Sequence, residues 1–70
     1  MRIGEVCREC GLTKKAIAYY GEQGLIVPAM TENGYRRYTA VDVARLKKIA
    51  TLRKLGLSVS EIRAVLEKSI

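Results

Sequence analysis

Three pairs of adjacent cations, Lys14-Lys15, Arg36-Arg37 and Arg53-Lys54, are the residues of this 70-residue chain best suited to chemistry. Ammonium and guanidinium groups hydrogen-bond phosphate oxygens, so what they offer is recognition of a polyanion. Their placement sharpens this. Residues 1–35 hold four basic and four acidic side chains and carry no net charge. Residues 36–54 hold seven basic side chains against the single Asp42, and carry the whole net charge of +6. Beyond them Arg63 and Lys68 cancel Glu61 and Glu67. A localised basic block favours nucleic acid. The plainer alternative is a solvated helix with a lysine-rich face.

Catalysis has no comparable support. There is no His, no nucleophile–base pair, no Gly-rich phosphate loop and no set of metal ligands. Cys7-Arg8-Glu9-Cys10 has the spacing of a redox pair or half a metal site. Yet both cysteines fall in register with Ile3 and Val6 on one helix face, and no further soft ligand follows. They read as small buried hydrophobes. The sequence therefore implies no enzyme, no cofactor, no metal and no effector-binding residue.

These side chains need a scaffold, and the length allows one small domain. A hydrophobic content of 49% is enough for a core without staples. Two Cys exclude a disulfide framework. No apolar run approaches the roughly 20 residues that span a bilayer, and the charged first ten residues are unlike a signal peptide.

Ile3, Val6, Cys7 and Cys10 recur at helical spacing, and Gly11 ends that helix. Thr13 caps a second helix. On it Ala16, Ile17 and Tyr20 share an inner arc, whereas Lys14, Lys15, Ala18 and Tyr19 share an outer one. Gly21 and Gly24 mark its end. Two short helices about a Gly turn make a helix-turn-helix, whose second helix enters the major groove N-terminus first. Pro28 confines the apolar stretch before it to a strand end, and Asn33-Gly34 is a strong turn signal. Together they predict a β-hairpin over 26–38 with its tip at 30–34, in the place of a wing. Thr39 and Asp42 start a third helix. Its apolar residues Val43, Leu46, Ile49 and Leu52 drift around the surface and so touch more than one neighbour. Gly56 ends it. Ser58 and Glu61 form a capping box for a fourth helix, with Val59, Ile62, Val65 and Leu66 inward. The fold class is mainly α, a winged helix-turn-helix of four helices with a two-stranded wing between helices 2 and 3. The expected parts are a helix-turn-helix over about 3–23, a wing over about 26–38 and a helix pair over about 40–69.

Ile3-Gly4-Glu5-Val6, Gly11-Leu12, Tyr19-Tyr20, Gly24-Leu25-Ile26 with Pro28, Asn33-Gly34-Tyr35-Arg36-Arg37-Tyr38, Gly56-Leu57-Ser58 and Glu61-Ile62 follow one another along essentially the whole chain. In this order they resemble the N-terminal DNA-binding domain of the mercury-resistance-regulator (MerR) family. The resemblance implies a bacterial, cytoplasmic transcription regulator that binds double-stranded promoter DNA as a homodimer. It implies that RNA polymerase is engaged through the promoter, bent and untwisted across an overlong spacer. Ala18 and Met30 stand where the family often has Arg. The family also continues into a pairing helix and an effector region, whereas this chain stops at Ile70. It is thus expected to be an excised DNA-binding domain, or else an unusually short natural relative, monomeric alone.

The candidate DNA-binding residues are Thr13, Lys14, Lys15, Tyr19, Tyr35, Arg36, Arg37 and Arg53. Lys14 and Lys15 lead the second helix and suit phosphates or guanine edges. Tyr19 points outward and Tyr20 inward. Arg36 and Arg37 face opposite sides of the ribbon. Tyr35 and Tyr38 are expected to pack the hairpin onto the helices, Tyr35 with its hydroxyl in reach of the DNA backbone. Arg53 either complements its helix dipole or meets a phosphate; Arg45, Lys47 and Lys48 are weaker candidates. Two other functions remain open on the sequence alone. One is a short excisionase-like or architectural DNA-binding protein, and the other is a module that docks an acidic protein partner.

Overall fold

A computed structural model describes residues 1–68 and contains four helices and one hairpin. Helix α1 spans Ile3–Cys10 and α2 spans Lys14–Glu22. Strands β1 (Ala29–Met30) and β2 (Arg36–Arg37) pair antiparallel, with Ala29 opposite Arg37 and Met30 opposite Arg36. Helix α3 spans Ala40–Lys54 and α4 spans Val59–Lys68. This is a winged helix-turn-helix with a second helix pair behind it. Residue 69, at the end of the expected helix pair, lies outside the described residues.

Local chemistry sets most of the boundaries. Gly11 takes a left-handed conformation (φ 67°), and its N–H donates to the Cys7 carbonyl, a conformation that costs a Cβ-bearing residue more. Thr13 Oγ1 accepts from the Ala16 N–H at 3.0 Å. Thr39 and Asp42 form a reciprocal box: the Thr39 N–H donates to Asp42 Oδ2 and the Asp42 N–H donates to Thr39 Oγ1. Ser58 and Glu61 repeat the arrangement at the start of α4. Gly21, expected to mark the end of α2, lies inside it; Gly24 is the left-handed residue that follows.

The hairpin is shorter than the expected 26–38. Ile26 and Tyr38 are both buried in the core, so the chain at either end is pulled down onto the helices. Pro28 also has no N–H to extend β1. Met30, expected at the tip, belongs to β1. The Thr31 N–H donates to the Tyr35 carbonyl at 2.8 Å, which leaves Glu32, Asn33 and left-handed Gly34 as the turn. On the other edge of β2, Met1 and Tyr38 exchange both backbone hydrogen bonds, at 2.7 and 2.9 Å. That pairing holds Arg2 beside the wing.

One core joins all of these parts. Val6, Ile17, Leu25, Leu46, Ile49 and Ile62 are fully or almost fully buried. Helix α3 packs on α1 and on α4, as the drift of Val43, Leu46 and Ile49 requires. Cys7 and Cys10 sit half-buried at the edge of this core, Cys10 Sγ lying 3.7 Å from the Val43 carbonyl. Burial raises the Cys10 thiol pKa, and the nearby Lys47 opposes this only in part. The thiol stays protonated near neutral pH and is a poor nucleophile.

The capping box at α4 has a pH signature. The Ser58 N–H, then the Ser58 hydroxyl, hold the Glu61 carboxyl below the usual range. A depressed carboxylate pKa contributes stability above its unfolded value, ~4.3, and loses it as the pH falls through the folded value. The melting-temperature gap between wild type and Glu61→Gln is therefore expected at pH 7 and should close on acidification below pH ~4. A gap independent of pH would assign Glu61 another role.

Candidate nucleic-acid interface

Helix α2 presents its outer face as a ridge between two clefts. The side toward the wing carries Lys14 and Ala18, one turn apart. With them the first cleft gathers Arg2, Tyr35, Arg36 and, on its inner side, Ile3 and Tyr38. The Arg36 guanidinium approaches within 3.9 Å of the Cβ position at Gly21, and so lies along the α2 flank formed by residues 14, 18 and 21. The side toward α4 carries Tyr19, which lines the second cleft with Gln23, Arg53, Ser58, Ser60 and Arg63. The two flanks follow from helical spacing, because residues four apart stack on one face.

The second cleft is built by one local and one long-range bond. Arg53 Nη1 donates to the Leu57 carbonyl at 3.1 Å and ties down the α3–α4 turn. Arg63 Nη2 donates to the Gln23 carbonyl at 2.6 Å and joins α4 to the end of α2. Tyr19 is set edge-on to the buried Tyr20 ring, centroids 5.7 Å apart, which fixes its outward direction. Ser58 and Ser60 lie at the α4 N-terminus, an electropositive end that favours anions.

The structure thus brings Lys14, Tyr35 and Arg36 together on one side of α2 and Tyr19 and Arg53 on the other. Thr13 and Lys15 are exposed at the start of the ridge and belong to neither cleft. The Thr13 hydroxyl accepts its capping bond and keeps its proton free to donate. Arg37 lies beside Ala29, Met30 and the turn, and it shares with Arg36, Arg2, Glu5 and Tyr35 a further cleft at the edge of the wing; it does not line the cleft against α2. Tyr35 does not pack the hairpin onto the helices. It is 71% exposed, because Tyr38 fills the core position beneath the wing.

Arg2 and Arg63 were not legible as candidates. Arg63 is cancelled by Glu61 in a charge count, although Glu61 is committed to its cap. Conversely, part of the basic block is structural. The Arg45 Nε–H donates to the Leu25 carbonyl. Lys47 pairs with Glu9 at 3.7 Å, both ends about half exposed, a geometry that contributes little to stability. Among the described residues no cluster of three or more His, Cys, Asp or Glu side chains could hold a metal ion. No described helix is long and apolar enough to cross a membrane.

The sequence matches the family described as MerR HTH family regulatory protein over residues 1–69. It is 47% identical over 66 residues to the HTH-type transcriptional regulator HmrR of Rhizobium leguminosarum bv. viciae, covering 94% of this chain and 51% of that one. The fold is similar to a MerR-family transcriptional regulator from Bacillus cereus, with TM-score 0.92 and 31% identity over 100% of this chain and 53% of that one. It is also similar to EcmrR, solved by cryo-EM as the EcmrR-DNA complex in EcmrR-RPo. There the TM-score is 0.83 and the identity 38%, over 100% of this chain and 28% of that one. The chain spans about half the length of the curated relatives it matches.

Proposed function

This chain belongs to the MerR HTH family of DNA-binding transcription regulators, and we propose that it binds double-stranded promoter DNA sequence-specifically with α2 in the major groove. The observation that carries this reading is the α2 ridge flanked by two arginine-bearing clefts. A major groove is ~12 Å wide and bounded by phosphates on both sides, so a reading helix needs cations on both flanks. Arg2, Lys14 and Arg36 serve one strand, with Arg37 at the edge of the wing. Arg53, Arg63 and Tyr19 serve the other. Thr13 and Lys15 lie over the base edges, and Tyr35 reaches the backbone from the wing.

The whole regulator acts in the bacterial cytoplasm as a homodimer on a pseudo-palindromic promoter, and bends that promoter so that RNA polymerase can engage it. The 70-residue domain alone is monomeric. The wing and the α3–α4 pair supply most of the phosphate contacts, joined by Lys14 and Tyr19 of the helix-turn-helix, whose α2 also reads bases.

An NMR titration with a random-sequence duplex at low and moderate salt tests this. Shifts are expected at Lys14, Lys15, Tyr19, Arg36, Arg53 and Arg63, fading as salt rises because binding releases counterions. Shifts centred on Lys47 and Lys48, or insensitive to salt, would favour a protein partner instead. If the lone domain gives none, a covalently paired dimer repeats the measurement, and silence there too would overturn the reading.

A further inference from the structure

Tyr38 carries a hydroxyl that neither the core nor the interface so far uses. The residue as a whole is 3% exposed and packs within the hydrophobic cluster, and its backbone is occupied by Met1. A buried Tyr ring ordinarily finds a partner for its O–H. Among the described residues none hydrogen-bonds this one, yet no sealed, unsatisfied side-chain oxygen is left either. The hydroxyl is therefore not sealed from solvent, and Tyr38 lines the cleft between α2 and the wing.

That cleft has a volume of about 510 Å³. Ile3 and Ala18 are its half-buried apolar members, and Arg2, Lys14 and Arg36 are its exposed ones. Three cations line the cleft that Tyr38 also lines, a setting that disfavours a cationic partner and favours an anionic acceptor. A packing role alone would be met by a phenylalanine of the same shape. The geometry points to Tyr38 as a DNA-binding residue: we propose that its O–H donates to a backbone phosphate seated among Arg2, Lys14 and Arg36, with the adjoining deoxyribose against Ile3 and Ala18. The inference rests on the DNA-binding reading above. It adds a neutral donor, fixed by a buried ring, to a set of mobile cations, and so fixes the register of the strand.

Tyr38→Phe tests this, because it deletes one oxygen and leaves the ring. The probe is a labelled duplex enriched from a random pool by the wild-type domain. The melting temperature is expected to stay unchanged and affinity to fall roughly three- to tenfold, as for one partly solvated hydrogen bond. The salt slope should not move, since no charge is lost. In duplexes with single methylphosphonate replacements, the phosphate that matters to wild type at this position should matter less to Tyr38→Phe. Equal affinity of the two proteins would overturn the inference, as would a loss accompanied by a lower melting temperature. If neither the wild-type domain nor its covalently paired dimer enriches a duplex, the DNA-binding reading itself fails.

Discussion

Leu46→Ala should leave the domain largely unfolded at moderate temperature. Leu46 is fully buried at the centre of α3, where the helix meets both α1 and α4. Val6, Ile17, Ile49 and Ile62 belong to the same cluster, so the cavity would open in the core that joins the helices. Truncating a buried Leu to Ala costs ~2–5 kcal/mol, more where the walls cannot collapse. At about 0.05–0.15 kcal/mol per residue, a domain of this size has a total stability of only ~4–10 kcal/mol. The melting temperature should fall by more than ~10 °C, since ~1 kcal/mol shifts a small domain by about 4–8 °C. Val41→Ala, on the exposed side of the same helix, should stay within ~0.5 kcal/mol of wild type. Thermal melts followed by circular dichroism measure both. Equal melts for Leu46→Ala and wild type would mean that α3 is not the central element.

Which parts of this fold the sequence discloses depends on the range of the interaction that creates them. Thr13, Thr39 with Asp42, and Ser58 with Glu61 bond to groups three residues away, so their caps are legible in order and spacing alone. The inward faces of α1 and α2 follow in the same way from periodicity. The ends of the hairpin do not, because they are decided by where Ile26 and Tyr38 find the core rather than by the Asn33-Gly34 turn. Arg45 and Arg63 are opaque for the same reason: their partners lie 20 and 40 residues away. A charge count treats every cation as free, whereas folding makes Arg45 a brace and moves Arg2 and Arg63 to the flanks of α2. The candidate interface was therefore legible as to helix and wing, but its two-sided form was not. That form needs the C-terminal end of α2 and the start of α4 to meet.

The two-sided form separates cations that the sequence treats alike. Arg36 and Arg37 are neighbours, and residue type alone gives both a wing phosphate contact. In the structure Arg36 runs along α2 beside Lys14, whereas Arg37 is absent from that cleft and lies beside Ala29 and Met30. Arg36→Ala should weaken binding to every duplex by about tenfold, equivalent to ~1.4 kcal/mol, and reduce the salt slope by ~1. Arg37→Ala should act in the same sense and by less. Lys14 and Lys15 divide similarly. Lys14 stands in the wing-side cleft, so Lys14→Ala should resemble Arg36→Ala. Lys15 is exposed on the ridge outside both clefts, so Lys15→Ala should relax preference at one base pair, by ~1–3 kcal/mol, with a smaller change in non-specific affinity. Binding curves on a selected duplex and its single-base variants, each at several salt concentrations, read out all four. A change of base preference in Arg36→Ala with the salt slope intact would show that the wing reads bases. A uniform loss in Lys15→Ala would move Lys15 to the phosphates and leave Thr13 and Tyr19 to carry specificity.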